Sequence, residues 1–224
     1  MSPEDTFGEL ARYYDPIMDH VDYDRWLAVT TALAELLPAN FLHADAGCGT
    51  GLLLQHLRKI GWRSIGADLS HAMLKTARKK YPNLPVTQGD LRALPLRNLD
   101  YITCLFDTVN FLVELEELRE ALRQFYAALQ PGGILYFDVV TERMVTEHFH
   151  NQTWTEDNGH FRTTWTSTYD QATGITATYV RVNTGSEAHI NERVYPNQVI
   201  LKAIQDAGFT LLDCLDAFTW RPPS

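Results

Sequence analysis

Cysteine is scarce in these 224 residues: Cys48, Cys104 and Cys214 stand far apart, with no Cys-x-x-Cys pair. That spacing excludes a disulfide framework and a structural zinc site, and three reduced thiols suit a cytoplasmic chain. Basic residues are outnumbered, 19 Lys and Arg against 28 Asp and Glu, leaving a formal net charge of −9. Phosphate contacts demand clustered Lys and Arg, so nucleic acid is not an expected partner. The densest basic run, Lys75 to Lys80, follows a helical pattern and reads as a solvated face. No apolar run approaches the ~20 residues of a membrane span, and MSPEDTFGEL lacks the basic and apolar parts of a signal peptide. His148 and His150 have no third ligand at convincing spacing, so no metal is expected. These absences point to a cytoplasmic protein, monomer or homodimer, acting on a small molecule.

What is present is a packed α/β pattern, with hydrophobic residues at 45%. Residues 8–37 read as helix, with a possible break at Asp15-Pro16. Strands are expected at 41–46, 63–68, 84–88, 99–106 and 134–140, and helices at 51–60, 70–80 and 114–129. Gln130-Pro131-Gly132-Gly133 stops the last of these helices. Strands alternating with helices indicate a doubly wound, mostly parallel sheet covered on both faces. The alternation fails between residues 153 and 184, where TTWTSTYD, a QATG break and ITATYVRV give a hairpin signal. His189 to Tyr195 can add a strand. A helix, 197–207, and a strand, 209–218, close the chain. The expected organisation is a Rossmann-like domain over 1–143 and 196–224, with an inserted β-rich lid over 144–195.

The most informative stretch is DAGCGTG, Asp45 to Gly51. A strand, a tight glycine turn and a helix make a ligand site at the strand's carboxyl end, where the helix offers free N–H groups. The spacing Gly47-x-Gly49-x-Gly51 is not the G-x-G-x-x-G of a dinucleotide dehydrogenase, and the Gly-Lys-Ser/Thr of a phosphate loop is absent. Asp68 ends the second strand, where a carboxylate can accept both hydroxyls of a ribose. Asp90 follows the third, where it can accept from an adenine amine.

The set DAGCGTG, GADLS, GDL and LQPGGILYFDV, in this order, resembles the class I S-adenosylmethionine-dependent methyltransferases over residues 10–218. Glycine N-methyltransferase and the amino-sugar N,N-dimethyltransferases, which carry a β-rich insertion after the fifth strand, look like relatives. The resemblance implies methyl transfer from S-adenosylmethionine to N or O of a small molecule, leaving S-adenosylhomocysteine. It implies cofactor contacts at Tyr14, Tyr23, Asp45, Gly47, Cys48, Gly49, Gly51, Asp68, Leu69, Asp90, Leu91 and Phe106. YYDPIMDHVDYDRW is similar to the N-terminal helices that close over the cofactor in these relatives. CLFDTVNFL is similar to the loop lining their methyl-transfer site, which points to Asp107, Thr108 and Asn110. Asp107 and Asn110 also suit as caps of the following helix.

On the strand from His189 to Tyr195, alternation puts His189, Asn191, Arg193 and Tyr195 on one face. If that face looks into the site, His189 is a candidate base and Arg193 a candidate carboxylate ligand, with Asn110 as a third catalytic candidate. Trp165 and Tyr169 alternate on the hairpin, either as lid packing or as a seat for a cationic or aromatic substrate. His43, inside the first strand, reads as a core residue. The relatives end with a seventh, antiparallel strand, and no later β segment follows Trp220-Arg221-Pro222-Pro223-Ser224, so that strand is expected to be missing. A protein that binds S-adenosylmethionine without transferring its methyl, or that uses the lid for a protein partner, is the alternative.

Overall fold

The computed structural model describes residues 5–217. Its first sheet has the order β3-β2-β1-β4-β5. β1 (Leu42–Ala46) is central, β2 (Arg63–Asp68) and β4 (Leu99–Cys104) flank it, and β3 (Val86–Gln88) and β5 (Leu129–Phe137) lie outermost. All four pairings are parallel. The chain winds outward from β1 to β3, then returns to β4 on the other side of β1. That reversal opens a crevice at the carboxyl ends of β1 and β4, where open α/β sheets bind ligands.

Helices cover both faces. In α3 (Leu52–Lys59), Leu53, Leu54 and Leu57 are buried on one stripe. In α4 (His71–Lys80), Ser70 caps the first turn by accepting from the Met73 N–H at 3.1 Å, and Arg78, Lys79 and Lys80 suit the negative carboxyl end. A capping box of Glu114 and Glu117 starts α5 (Leu115–Ala128). With α7 (Asn197–Asp206), α5 packs Leu118, Leu122, Phe125 and Ile200 on Ala44, Ala46, Ile102 and Cys104 of the sheet.

After β5 and the short α6 (Glu142–His148), an antiparallel sheet forms in the order β6-β7-β8-β9. It comprises β6 (Gln152–Asp157), β7 (Arg162–Asp170), β8 (Ile175–Val182) and β9 (Glu187–Arg193). Its inner face sets Phe161, Val180, Val182, Ala188 and Ile190 against Leu10 and Ile17 of the N-terminal segment. Arg12 Nη2 donates to Ser186 Oγ at 3.1 Å, and the Glu187 N–H to Glu9 Oε2 at 3.1 Å, fixing the two together.

Several elements differ from expectation. The long N-terminal helix is α1 (Tyr14–Ile17), a 3-10 turn over Met18–His20 and α2 (Tyr23–Ala34). The chain breaks not at Pro16, tolerated in a first turn, but at Asp22, whose side chain caps α2 by accepting from the Arg25 N–H at 3.1 Å. β5 begins at Leu129, and Gln130 to Gly133 form an irregularity inside it rather than a stop before it. α6 and β6 are additional elements; Thr141 caps α6 by accepting from the Met144 N–H at 3.3 Å. Over residues 209–217 there is no strand, although one was expected to Phe218. Strand state rests on cross-strand pairing more than on propensity. Here Phe209 packs on Tyr126, while Leu212 is 70% exposed and no ladder to β5 forms. Phe218 itself, and the residues on which the expected missing strand was judged, lie outside the described residues. Among the described residues the parallel sheet has five strands, with β5 at its edge.

Candidate active site

Three glycines with positive φ follow β1: Gly47 at 81°, Gly49 at 53° and Gly51 at 78°. They do different things. A Cβ on Gly51 would lie 2.3 Å from Leu84 Cδ2, and one on Gly47 2.5 Å from Thr108 Cγ2, so both permit packing. A Cβ on Gly49 would meet only Tyr14 Cε1, at 3.9 Å. Gly49 therefore faces open space, the cradle that a ligand's approach to the backbone requires. Gly51 borders neither cavity described below.

Asp68, at the end of β2, is tied into this loop. Its Oδ2 accepts from the Gly49 N–H at 2.7 Å and its Oδ1 from the Ser70 N–H at 2.8 Å. Burial pushes its carboxyl above the usual range, and these two N–H groups pull it back. Each oxygen keeps a lone pair for a ligand. Asp90, after β3, is gripped by Arg92, with Nη2 to Oδ2 at 2.6 Å and Nε to Oδ1 at 2.9 Å; Arg92 also pairs with Glu117. Those bonds hold Asp90 below its ordinary pKa. Asp68 and Asp90, with Leu69, Leu91, Phe106, Gly47, Gly49 and Tyr14, border a cavity of about 1400 Å³.

Behind the glycine loop lies a chamber of about 30 Å³, bordered by Asp45, Tyr14, Tyr23, Gly47, Cys48 and Gly49. It has room for a single water-sized polar group. Thr103 Oγ1 donates to Asp45 Oδ1 at 2.7 Å; Oδ2 has no partner among the described residues. Burial raises the Asp45 carboxyl to about 7 and Tyr23 to about 12. Tyr14 is held in place because its neighbour Asp15 accepts from Thr50 Oγ1, beside the glycines, and pairs with Lys80 at the end of α4.

The rest of the large cavity runs beneath the antiparallel sheet. β4 ends in two consecutive left-handed non-glycine residues, Phe106 at φ 60° and Asp107 at φ 51°. Such strain persists only where surroundings enforce it. The Asp107 N–H donates to Asp138 Oδ2 at 3.0 Å, and its carboxyl shares a hydrogen bond with Glu192 of β9. Asp107, Asp138 and Glu192 all border the cavity. Burial and mutual repulsion raise Asp107, and burial lifts Glu192 to about 7 and Asp138 to about 6. Asp138 Oδ1 is buried with no hydrogen-bond partner. Farther along, Trp154 and Trp165 stack at 5.7 Å with rings 5° apart, also bordering the cavity.

The three catalytic candidates do not meet here. His189 shares an outer row with Thr153, Thr166 and Tyr179, and its ring lies 4.6 Å from that of Tyr179. His189 borders the cavity, yet its side chain is on the exposed face. Arg193, on the same outer face, borders neither cavity and sits 5.8 Å from the Tyr195 ring. Asn110 is buried, with Nδ2 donating to the Arg193 carbonyl at 2.8 Å and Oδ1 accepting from the Val140 N–H at 3.0 Å. Its amide latches β9 to the segment after β5, and Asn110 borders neither cavity. The expected face of β9 was inverted: the inward row is Ala188, Ile190 and Glu192. Those two apolar residues were the available signal, and they lead to Glu192. Tyr169 also packs rather than lining the cavity, donating to Glu142 Oε1 at 3.0 Å beside Val145 and Val194. Asp138 and Trp154 carried no sequence signal that set them apart from their strands.

These features fit S-adenosylmethionine: an open cradle at Gly49, a free carboxylate oxygen on Asp45, and Asp68 and Asp90 at the neighbouring strand ends. Residues 44–133 match the family described as the methyltransferase domain. The chain is 27% identical, over 98% of its length and 95% of the other, to a protein of Geobacillus sp. (strain WCH70) named as a methyltransferase. Over 58% of its length it is 33% identical to the dTDP-4-amino-2,3,4,6-tetradeoxy-D-glucose N,N-dimethyltransferase of Saccharopolyspora spinosa, covering 57% of that protein. Its fold superposes with a TM-score of 0.83 on an S-adenosylmethionine-dependent methyltransferase from Clostridium acetobutylicum, at 22% identity, covering 97% of this chain and 94% of that one. Residues 44–133 thus carry a methyltransferase domain, within a chain that shares the fold of S-adenosylmethionine-dependent methyltransferases.

Proposed function

We propose that the chain transfers a methyl group from S-adenosylmethionine to the amine nitrogen of a small cationic acceptor. The observation that carries this reading is the buried Asp107–Glu192 pair, with Asp138 beside it, facing the cavity beneath β9. Buried carboxylates without a cation are costly, and an ammonium group offsets that cost while a neutral hydroxyl does not. The N,N-dimethyltransferase relative supports nitrogen as the acceptor atom.

S-adenosylmethionine supplies an electrophilic methyl group on a sulfonium. The chain's own residues do the rest. Asp45 and the Gly49 cradle hold the amino-acid end, Asp68 the ribose and Asp90 the adenine. Phe106, Tyr14 and Tyr23 keep water away. Asp107 keeps the proton it shares with Glu192, so the pair carries one negative charge and binds the acceptor's ammonium. The ammonium would then give a proton to the pair, which becomes neutral, leaving a nitrogen lone pair free to take the methyl group that the cofactor would supply as its S–CH3 bond breaks, with S-adenosylhomocysteine as the leaving group. Alignment inside a closed cavity supplies up to about 7–11 kcal/mol of such a barrier. In this reading residues 144–195 serve as the lid over a Rossmann-like domain of 1–143 and 196–224, the partner is a small molecule, and the protein works in the cytoplasm. No helix among the described residues is long and apolar enough to cross a membrane.

The test is a methyl-donor turnover assay on a panel of amines and their matched alcohols. Amines are expected to turn over and alcohols not. Asp107→Asn with Glu192→Gln should lower kcat by about 100-fold or more, the scale of proton-transfer catalysis, with cofactor affinity nearly unchanged. Equal turnover of alcohols, or a fully active double variant, would overturn the amine assignment. Cofactor binding with no turnover of any acceptor would favour a binding protein.

A further inference from the structure

We infer that His43 and Thr103 are positioning residues for the amino group of the cofactor, acting through Asp45. The inference rests on S-adenosylmethionine as cofactor and is independent of the acceptor. β1 and β4 run in register with Asp45 opposite Thr103 and His43 opposite Tyr101. His43 and Asp45, two residues apart, project from one face of β1. His43 Nε2 lies 3.0 Å from Thr103 Oγ1, and Thr103 Oγ1 donates to Asp45 Oδ1 at 2.7 Å. His43 and Thr103 are wholly buried, and Asp45 is 4% exposed.

The direction of this chain is forced. A hydroxyl has one proton, and Thr103 gives it to the carboxylate. Thr103 must therefore accept from His43, which fixes the imidazole as the Nε2–H tautomer. The other ring nitrogen, Nδ1, then faces the interior with a lone pair and no partner, as observed. An orphaned buried acceptor is destabilising. The ring packs edgewise against Trp62 and Tyr101, both at 5.3 Å, where phenylalanine would pack as well without that cost. Burial keeps His43 neutral, its pKa lowered to about 3, so it acts as a fixed donor and not as a charge.

The outcome is at Asp45. Its Oδ1 is held from behind, and its free Oδ2 belongs to a side chain bordering the 30 Å³ chamber. That chamber is the size of one ammonium group, and the helix α3 begins beside it. The titratable groups bearing on Asp45 are Asp68 from β2, Tyr23 from α2, Tyr101 and Cys104 from β4, and Cys48 from the glycine loop. None is a cation, so the Thr103 hydrogen bond is what favours the charged carboxylate against burial. A ligand ammonium needs that charge, so affinity should rise with pH as Asp45 ionises.

The experiment is calorimetric titration of S-adenosylhomocysteine from pH 5.5 to 8.5, which keeps the same ammonium group. Thr103→Val should weaken binding at pH 7.5 by about tenfold and move the midpoint of the pH profile upward. His43→Phe should move it the same way by less, without loss of thermal stability. Thr103→Ser should restore the original midpoint. The analogue lacking the amino group should bind wild type and Thr103→Val equally. A purely structural role would lower stability in the valine variant and leave the midpoint in place. An unmoved midpoint in folded His43→Phe or Thr103→Val would overturn the proposal, as would an equal loss for the deaminated analogue. Failure of wild type to bind S-adenosylhomocysteine at all would instead strike the cofactor assignment.

Discussion

The rim of the parallel sheet and the inner face of the antiparallel sheet border one cavity but treat charge in opposite ways. On the rim each carboxylate already has donors: Asp68 takes the N–H groups of Gly49 and Ser70, Asp90 takes Arg92, and Asp45 takes Thr103. Beneath the antiparallel sheet, Asp107, Asp138 and Glu192 answer mainly to one another. The first arrangement is preorganised, so a ligand of fixed shape meets fixed acceptors. The second is incomplete until a ligand brings positive charge. In the proposed function, the cofactor half of the site is thus built in advance, and the acceptor half is completed by what it binds.

The largest expected effect breaks the preorganised half. Gly49→Val places a branched side chain in the one open direction of the loop and penalises φ of 53°. Cofactor binding should be lost while circular dichroism shows a folded protein; a variant that still binds would show that this loop does not face the ligand. Asp68→Ala would remove the two ribose bonds proposed for this charged acceptor and would also free the Gly49 N–H. Affinity should fall about tenfold or more, and unchanged affinity by calorimetry would defeat the ribose assignment.

The incomplete half should show itself in pH dependence. Glu192 is raised to about 7, so the pair loses its negative charge below that pH, and turnover with an amine should drop as pH falls through 7. A flat profile between pH 6 and 8 would remove Glu192 from the proton path. Stability without ligand should move the other way. Asp45, Glu192 and Asp138 titrate near 7, 7 and 6 in the folded chain, against about 4 unfolded. The folded state then holds more protons between these limits, so stability is greatest below about pH 4 for these groups and is lost as pH rises to 7. Melting temperature should decline from pH 5 to 7.5, and Asp45→Asn should flatten part of that slope. The smallest effect belongs to the outer face: His189→Ala should change kcat by less than about twofold, since its ring lies against Tyr179 on the exposed face of the antiparallel sheet. A large loss of kcat there would restore His189 as a base.

Much of the rim was readable in the residues because its signals are local. The turn that holds Gly47, Gly49 and Gly51 at positive φ is made within a few residues of chain, even though Thr108 and Leu84 add distant reasons at Gly47 and Gly51, and Asp68 stands at a strand end that β propensity marks. The inner face of the antiparallel sheet depends on distant packing. One residue of shift in β9 turns every side chain over, and the polar His189, Asn191 and Arg193 were more conspicuous than the Ala188 and Ile190 that mark the inward row. Asn110 was chosen for its chemistry, whereas its amide is bonded to two backbone groups brought from residues 140 and 193. The expected last strand had the right composition but no ladder among the described residues, and pairing is a property of the partner as much as of the segment.

The anchoring of Asp15 sets the terms of cofactor traffic. This side chain sits one residue beyond Tyr14 and ties α1 to both the start of α3, through Thr50, and the end of α4, through Lys80. The same short helix therefore roofs the cradle and is bolted to its two walls. In the proposed function, exchange of spent for fresh cofactor would require that bolt to open, and its Lys80 half is a partly exposed ion pair, weak in water and screened by salt. The residence time of the product should then depend on ionic strength, shortened by added salt even where the chemical step is untouched.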